Sequence, residues 1–114
     1  MIARQSRMRY NISISEVEMI FSFGDDATAD LYHGKETHRI RRFPSTIISM
    51  ALRKLDMLNA SYRLNDLREP PGNRLELLKG DFAGYYSIRV NAQWRIVFRW
   101  EENNAHEVSL TDYH

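Results

Sequence analysis

The sequence predicts an α+β fold. The expected architecture is an antiparallel sheet, a β-meander of three to four strands plus an N-terminal strand, with two α-helices packed on one face. Three observations predict it. Ile48, Ala51, Leu52, Leu55 and Leu58 recur at helical spacing and make one apolar stripe. The stretches YYSIRV and WRIVFRW alternate with the period of a strand. All the helical signals precede all the clear strand signals, so the strands pair with their sequence neighbours in a meander.

The elements follow in order. Residues 19–23, MIFSF, read as a strand, with a turn at Gly24. A helix begins from Asp25, because Asp25 and Asp26 meet exposed N–H groups at a helix start. Gly34 is a plausible stop for it. Pro44 suits the first turn of the second helix, which ends near Asn59, with Arg53 and Asp56 on its polar side. The stretch LREPPGN is a loop, since consecutive prolines end a helix and Gly72-Asn73 favours a turn. RLELLKG is a candidate strand. In YYSIRV, Tyr86, Ile88 and Val90 share one face, with Tyr85, Ser87 and Arg89 on the other. NAQ joins this strand to WRIVFRW, where Trp94, Ile96, Phe98 and Trp100 face the core and Arg95, Val97 and Arg99 face away. EENNA then turns the chain into HEVSLTDYH, where Val108 and Leu110 share a face.

The length of 114 residues fits one domain, read as residues 19–114. Residues 1–18 are polar and read as an appendage, flexible or contributed by an upstream start. The chain has no cysteine, which excludes disulfides, thiolate nucleophiles and cysteine-ligated metals. His33 and His38 are spaced poorly for a metal, so neither a metal nor a cofactor is expected. The lack of a long apolar run or secretory signal points to a cytoplasmic protein with no membrane partner.

Charge is distributed unevenly. Residues 1–36 carry 4 Lys/Arg and 6 Asp/Glu, residues 37–100 carry 12 and 5, and residues 101–114 carry 0 and 4. A basic middle at +7 between acidic ends fits an anionic partner, although a solvated basic face accounts for it equally well. Arg89, Arg95 and Arg99 on the open sheet face form a phosphate-binding surface with an aromatic available for stacking. Shielding of the sheet or surface ion pairing is the plainer account of the same residues. Arg39, Arg41 and Arg42, with Arg53 and Lys54, extend the basic surface on similar terms.

The segment PPGNRLELLKGDFAGYYSIRVNAQWRIVFRW, followed by DYH, resembles the HigB toxins of type II toxin–antitoxin modules, within the RelE superfamily. ALRKLDMLNA resembles their second helix and MIFSFGDDATADLYHGK their N-terminus. The resemblance implies a metal-independent mRNA interferase acting in the ribosomal A site. There the 2′-hydroxyl attacks the adjacent phosphate, leaving a 2′,3′-cyclic phosphate and a 5′-hydroxyl. It also implies a HigA-like helix-turn-helix antitoxin, with operator DNA bound only through that antitoxin, and the 70S ribosome and mRNA as further partners.

Such chemistry needs a base, an acid and cations around phosphorus. By resemblance, Lys79 and Arg95 hold the scissile phosphate and His114 transfers a proton, since imidazole titrates near neutrality. Asp112 orients His114 or the RNA, on the same strand face as His114. Tyr113 stacks on a base or bonds the RNA backbone, although alternation points it to the opposite side. Glu76 stands where some relatives have histidine. It is either a general base or a structural partner of Arg74 or Arg95. Arg74 joins the RNA-binding set. Two other readings stay open: a ParE-like toxin acting on DNA gyrase, and a non-catalytic basic RNA-binding module.

Overall fold

The computed structural model describes residues 20–113. The expected extension over residues 1–18, together with Met19 and His114, lies outside them. Two helices, α1 (Asp26–His33) and α2 (Ser45–Ala60), precede four strands: β1 (Glu76–Leu77), β2 (Tyr86–Arg89), β3 (Trp94–Glu101) and β4 (Asn104–Asp112). The sheet order is β1-β2-β3-β4, every pair antiparallel, as the meander pattern predicts.

Local chemistry explains the helix ends. The Asp25 side chain accepts the Thr28 N–H at 2.7 Å, which satisfies one of the free donors at the start of α1. Gly34 closes the helix with a φ of 74°, a left-handed conformation that costs glycine little. In α2, Ile47, Ala51, Leu52, Leu55 and Leu58 are buried, with Ile48 half-buried at the margin. This stripe lies on the row formed across the sheet by Ile88, Ile96 and Leu110, which are cross-strand partners and fully buried. Burying side chains of this size contributes roughly 1.5–3 kcal/mol each.

Two elements are shorter than their sequence patterns. RLELLKG yields only Glu76–Leu77 as strand, because the chain turns through a short 3-10 segment at Gly80–Phe82. The N-terminal strand shrinks to two parallel bridges beside β4, Ile20 to Ala105 and Phe23 to Val108. The ladder breaks between them because the Glu107 N–H bonds the Ser22 hydroxyl (2.9 Å) instead of a carbonyl.

That break coincides with a bulge. Val97 pairs with Ser109 but Arg99 pairs with His106, so β4 carries one extra residue. Glu107 sits there with a φ of 54°, in the left-handed region. Among the described residues no helix is long and apolar enough to cross a membrane.

Candidate functional site

The face of the sheet turned away from the helices is built on two cross-strand rows. One is Glu76, Ser87, Val97 and Ser109; the other is Arg89, Arg95 and Thr111. Arg95 is held at three points on this face. Its Nε donates to the Ser87 hydroxyl at 2.6 Å, and its Nη2 donates to the Arg74 carbonyl at 2.7 Å. The Glu76 carboxylate lies 3.4 Å from the same Nη2. Only 11% of the Arg95 side chain is exposed.

Burial lowers the Arg95 pKa, and the charge of Glu76 works against that shift. An arginine starts so high that it stays protonated. Its Nη1 hydrogens have no protein partner among the described residues. Its Nε and Nη2 contacts fix the orientation of the guanidinium. Arg74 is exposed and left-handed at a φ of 46°. Arg74 and Arg89 both lie close enough to oppose the Arg95 charge.

Glu76 is therefore the partner of Arg95. Its reading as a base competes with that pairing, since the same carboxylate is already engaged with the Arg95 guanidinium. Tyr113 donates its N–H to the Gln93 carbonyl at 2.8 Å, and its ring lies 6.0 Å from Phe82. Lys79 is exposed at the start of the Gly80–Phe82 turn that carries Phe82.

Several expected positions need correction. Asp112 is level with Trp94, on the helix side of the sheet rather than beside Arg95, and it accepts the Gln93 amide at 3.1 Å. Tyr113 lies two residues beyond Thr111, on the Arg95 side of the sheet. His114 lies outside the described residues. Lys54 is not on the basic surface: it is 8% exposed and donates to the Asn73 side chain. Burial, and then the charge of Arg53, lower its pKa. Arg39 is held by Asp30 at 3.0 Å. Arg99 is tied to Glu101 at 2.6 Å and to Glu107 at 2.9 Å, so it reads as an ion-pair network rather than a vacant phosphate ligand. Arg41, Arg42 and Arg53 are exposed, with Arg42 over the Phe43 ring at 5.5 Å.

One cluster was missed from the sequence. The Tyr85 hydroxyl donates to Glu107 at 2.5 Å, and Arg99 grips the same carboxylate. Tyr85 and Glu107 line a shallow cleft of about 240 Å³ with Phe82, Val97, Ser109 and Thr111. No periodicity marks it, because the bulge at Glu107 is what aims that side chain.

Two helices on one side of a four-stranded antiparallel meander define an α+β fold of the RelE/YoeB-like type. A chain of the YoeB-YefM complex from Staphylococcus aureus matches it with a TM-score of 0.52 at 21% identity, over 83% of this chain and 97% of that one. The chain belongs to the HigB-like family of RelE-like toxins of type II toxin–antitoxin systems, whose model matches residues 21–114. It is 41% identical to Toxin HigB-1 of Vibrio cholerae over 87 residues, covering 76% of this chain and 90% of that protein. It is 46% identical to Endoribonuclease HigB of Proteus vulgaris over 41 residues, 36% of this chain and 45% of that protein.

Proposed function

We propose that this chain is a metal-independent endoribonuclease that cuts mRNA in the ribosomal A site and so inhibits translation. The observation that carries the reading is the preset guanidinium of Arg95, held by Ser87 and Arg74 with its Nη1 hydrogens unpartnered among the described residues. Phosphoryl transfer from an internal 2′-hydroxyl gains most from fixed cations at the phosphorus.

The 2′-hydroxyl loses its proton to a base, and its oxygen bonds to phosphorus. The bond from phosphorus to the 5′-oxygen breaks, and that oxygen takes a proton from an acid. The products are a 2′,3′-cyclic phosphate and a 5′-hydroxyl. Arg95 and Lys79 hold the phosphate, and Arg74 and Arg89 add positive potential around it. Tyr113 contacts the RNA from the same side as Arg95. His114 transfers a proton. Asp112 acts from the strand edge through Gln93 rather than from within the arginine row. Glu76 primarily fixes Arg95.

A HigA-like antitoxin is the natural partner, and the neighbouring YoeB-YefM fold supports a toxin held by a protein partner. Operator DNA is reached through that antitoxin, and the cytoplasm is the site of action. Mapping mRNA 5′ ends in expressing cells tests the reading. Codon-spaced cuts that need 70S ribosomes and vanish in Arg95→Ala, with the fold intact, are expected. Intact mRNA with inhibited gyrase would overturn it in favour of a ParE-like action.

A further inference from the structure

Lys54 is a buried lysine with no carboxylate beside it in any ion pair among the described residues. Such groups are rare unless something holds them in place. Its ammonium donates to the Asn73 Oδ1. Asn73 is fully buried and spends its own amide on the Leu67 carbonyl at 3.0 Å and the Met57 sulfur at 3.1 Å. The next residue is Arg74, forced into a left-handed φ of 46°. Its carbonyl receives the Arg95 Nη2 at 2.7 Å. A continuous chain therefore runs from α2, through the Pro71–Asn73 turn, to the guanidinium on the opposite face of the sheet.

We propose that Lys54, through Asn73, is a positioning residue for Arg95: it fixes the turn whose Arg74 carbonyl aims the Arg95 guanidinium. A left-handed non-glycine residue persists only where its surroundings hold it. The Lys54–Asn73 bond is the anchor one residue away. Without it, the turn relaxes, the Arg74 carbonyl leaves Nη2, and the guanidinium loses one of its two neutral acceptors. The inference rests on the phosphate-holding role of Arg95 proposed above.

The test compares Lys54→Met, which keeps the stem and removes the donor, with Lys54→Gln, which keeps a shorter donor. Two readouts are taken: ribosome-dependent mRNA cleavage, as kcat and KM separately, and hydrogen exchange of the Arg95 Nε–H by nitrogen-15 NMR. That signal is assigned by its absence in Arg95→Lys. Lys54→Met is expected to keep KM, to lower kcat about tenfold or more, and to speed Nε–H exchange about tenfold. Lys54→Gln is expected between it and the wild type in both readouts. A wild-type kcat in Lys54→Met overturns the proposal, and so does a lost kcat with an unchanged Arg95 signal. If Lys54→Met does not fold, Lys54→Gln decides: rate and exchange moving together support the proposal, and either alone or neither overturns it. If the wild type cleaves nothing, the ribonuclease reading fails while the exchange comparison still tests the positioning.

Discussion

Glu107 accepts the Tyr85 hydroxyl at 2.5 Å from a backbone position twisted to a φ of 54°. The bulge that produces this twist re-aims a side chain across the open face. Arg99 occupies the second carboxylate oxygen at 2.9 Å.

The first prediction concerns pH. The hydroxyl of Tyr85, then the guanidinium of Arg99, hold the Glu107 carboxyl below its ordinary value of 4.5. Its contribution to stability is therefore full above about 4.5 and is lost as pH falls through the lowered folded value. The same contact, with burial second, raises the Tyr85 phenol above its ordinary 10.0, so that contribution is full below 10.0 and is lost as pH rises through the raised value. Glu107→Gln should have a lower urea midpoint than the wild type at pH 7. The difference should close at both extremes. A difference that persists unchanged well below the carboxyl range would remove this ionic account.

Gly24 is the second test of the same bulge. A Cβ added there would lie 2.9 Å from the Glu107 carbonyl oxygen, closer than side chains normally come to backbone. Gly24→Ala should destabilise by roughly 1–3 kcal/mol, as overpacking commonly does. The amides of Phe21 and Gly24, which bond Ala105 and Val108 at 2.7 and 2.8 Å, should lose exchange protection first. A thermal midpoint equal to that of the wild type would mean the N-terminal segment is not held against β4 in this way.

The third prediction concerns the start of α1. Asp25 caps Thr28 and also accepts the Ser109 hydroxyl at 2.9 Å, so one carboxylate joins the helix to β4. Asp25→Ala should cost about 1–2 kcal/mol, at or above the usual value of a cap. Asp25→Asn, which retains an acceptor for Thr28, should recover most of it in chemical denaturation. Equal losses in both variants would show that the charge, not the cap, matters.

The same residues mark where sequence reasoning succeeds and where it stops. Asp25 and Gly34 were legible as helix ends because each answers a local need of the backbone. The strands of Ile88, Ile96 and Leu110 were legible because a half-buried strand must alternate. Lys54 was misread, although the signal was present: it stands three residues after Ala51 and four before Leu58, on the buried stripe. Reading it as one of a surface pair with Arg53 ignored that spacing. The pairing partners at the end of β4 were not legible for a different reason. From the turn at Glu101 and Asn104, unbroken pairing would have set Asp112 opposite Gln93, on the Arg95 side. One extra residue at the bulge shifts the register, so Asp112 meets Trp94 and Thr111 meets Arg95. A left-handed glutamate leaves no trace in hydrophobic periodicity.

Ser87 gives the fourth prediction, and it separates aim from charge. Its hydroxyl is fully buried and takes the Arg95 Nε at 2.6 Å. Ser87→Ala leaves the guanidinium charge in place but removes the acceptor. The Nε–H then sits in a site where only 11% of the side chain meets solvent. Leaving a buried donor unpaired costs roughly 1–3 kcal/mol, and more when it is charged, and the side chain avoids that by rotating toward Glu76 or water. The free arm of the fork would then no longer meet the phosphate. Ser87→Ala should therefore lower kcat by about tenfold or more, up to the roughly hundredfold loss that follows removal of a preset donor itself. Arg95→Lys keeps the charge and loses the fork, so it should lose at least as much. Single-turnover cleavage on programmed ribosomes checks both. If Ser87→Ala cleaves at the wild-type rate while Arg95→Lys fails, the charge needs no aiming from Ser87, and Arg74 with Glu76 suffices to hold it.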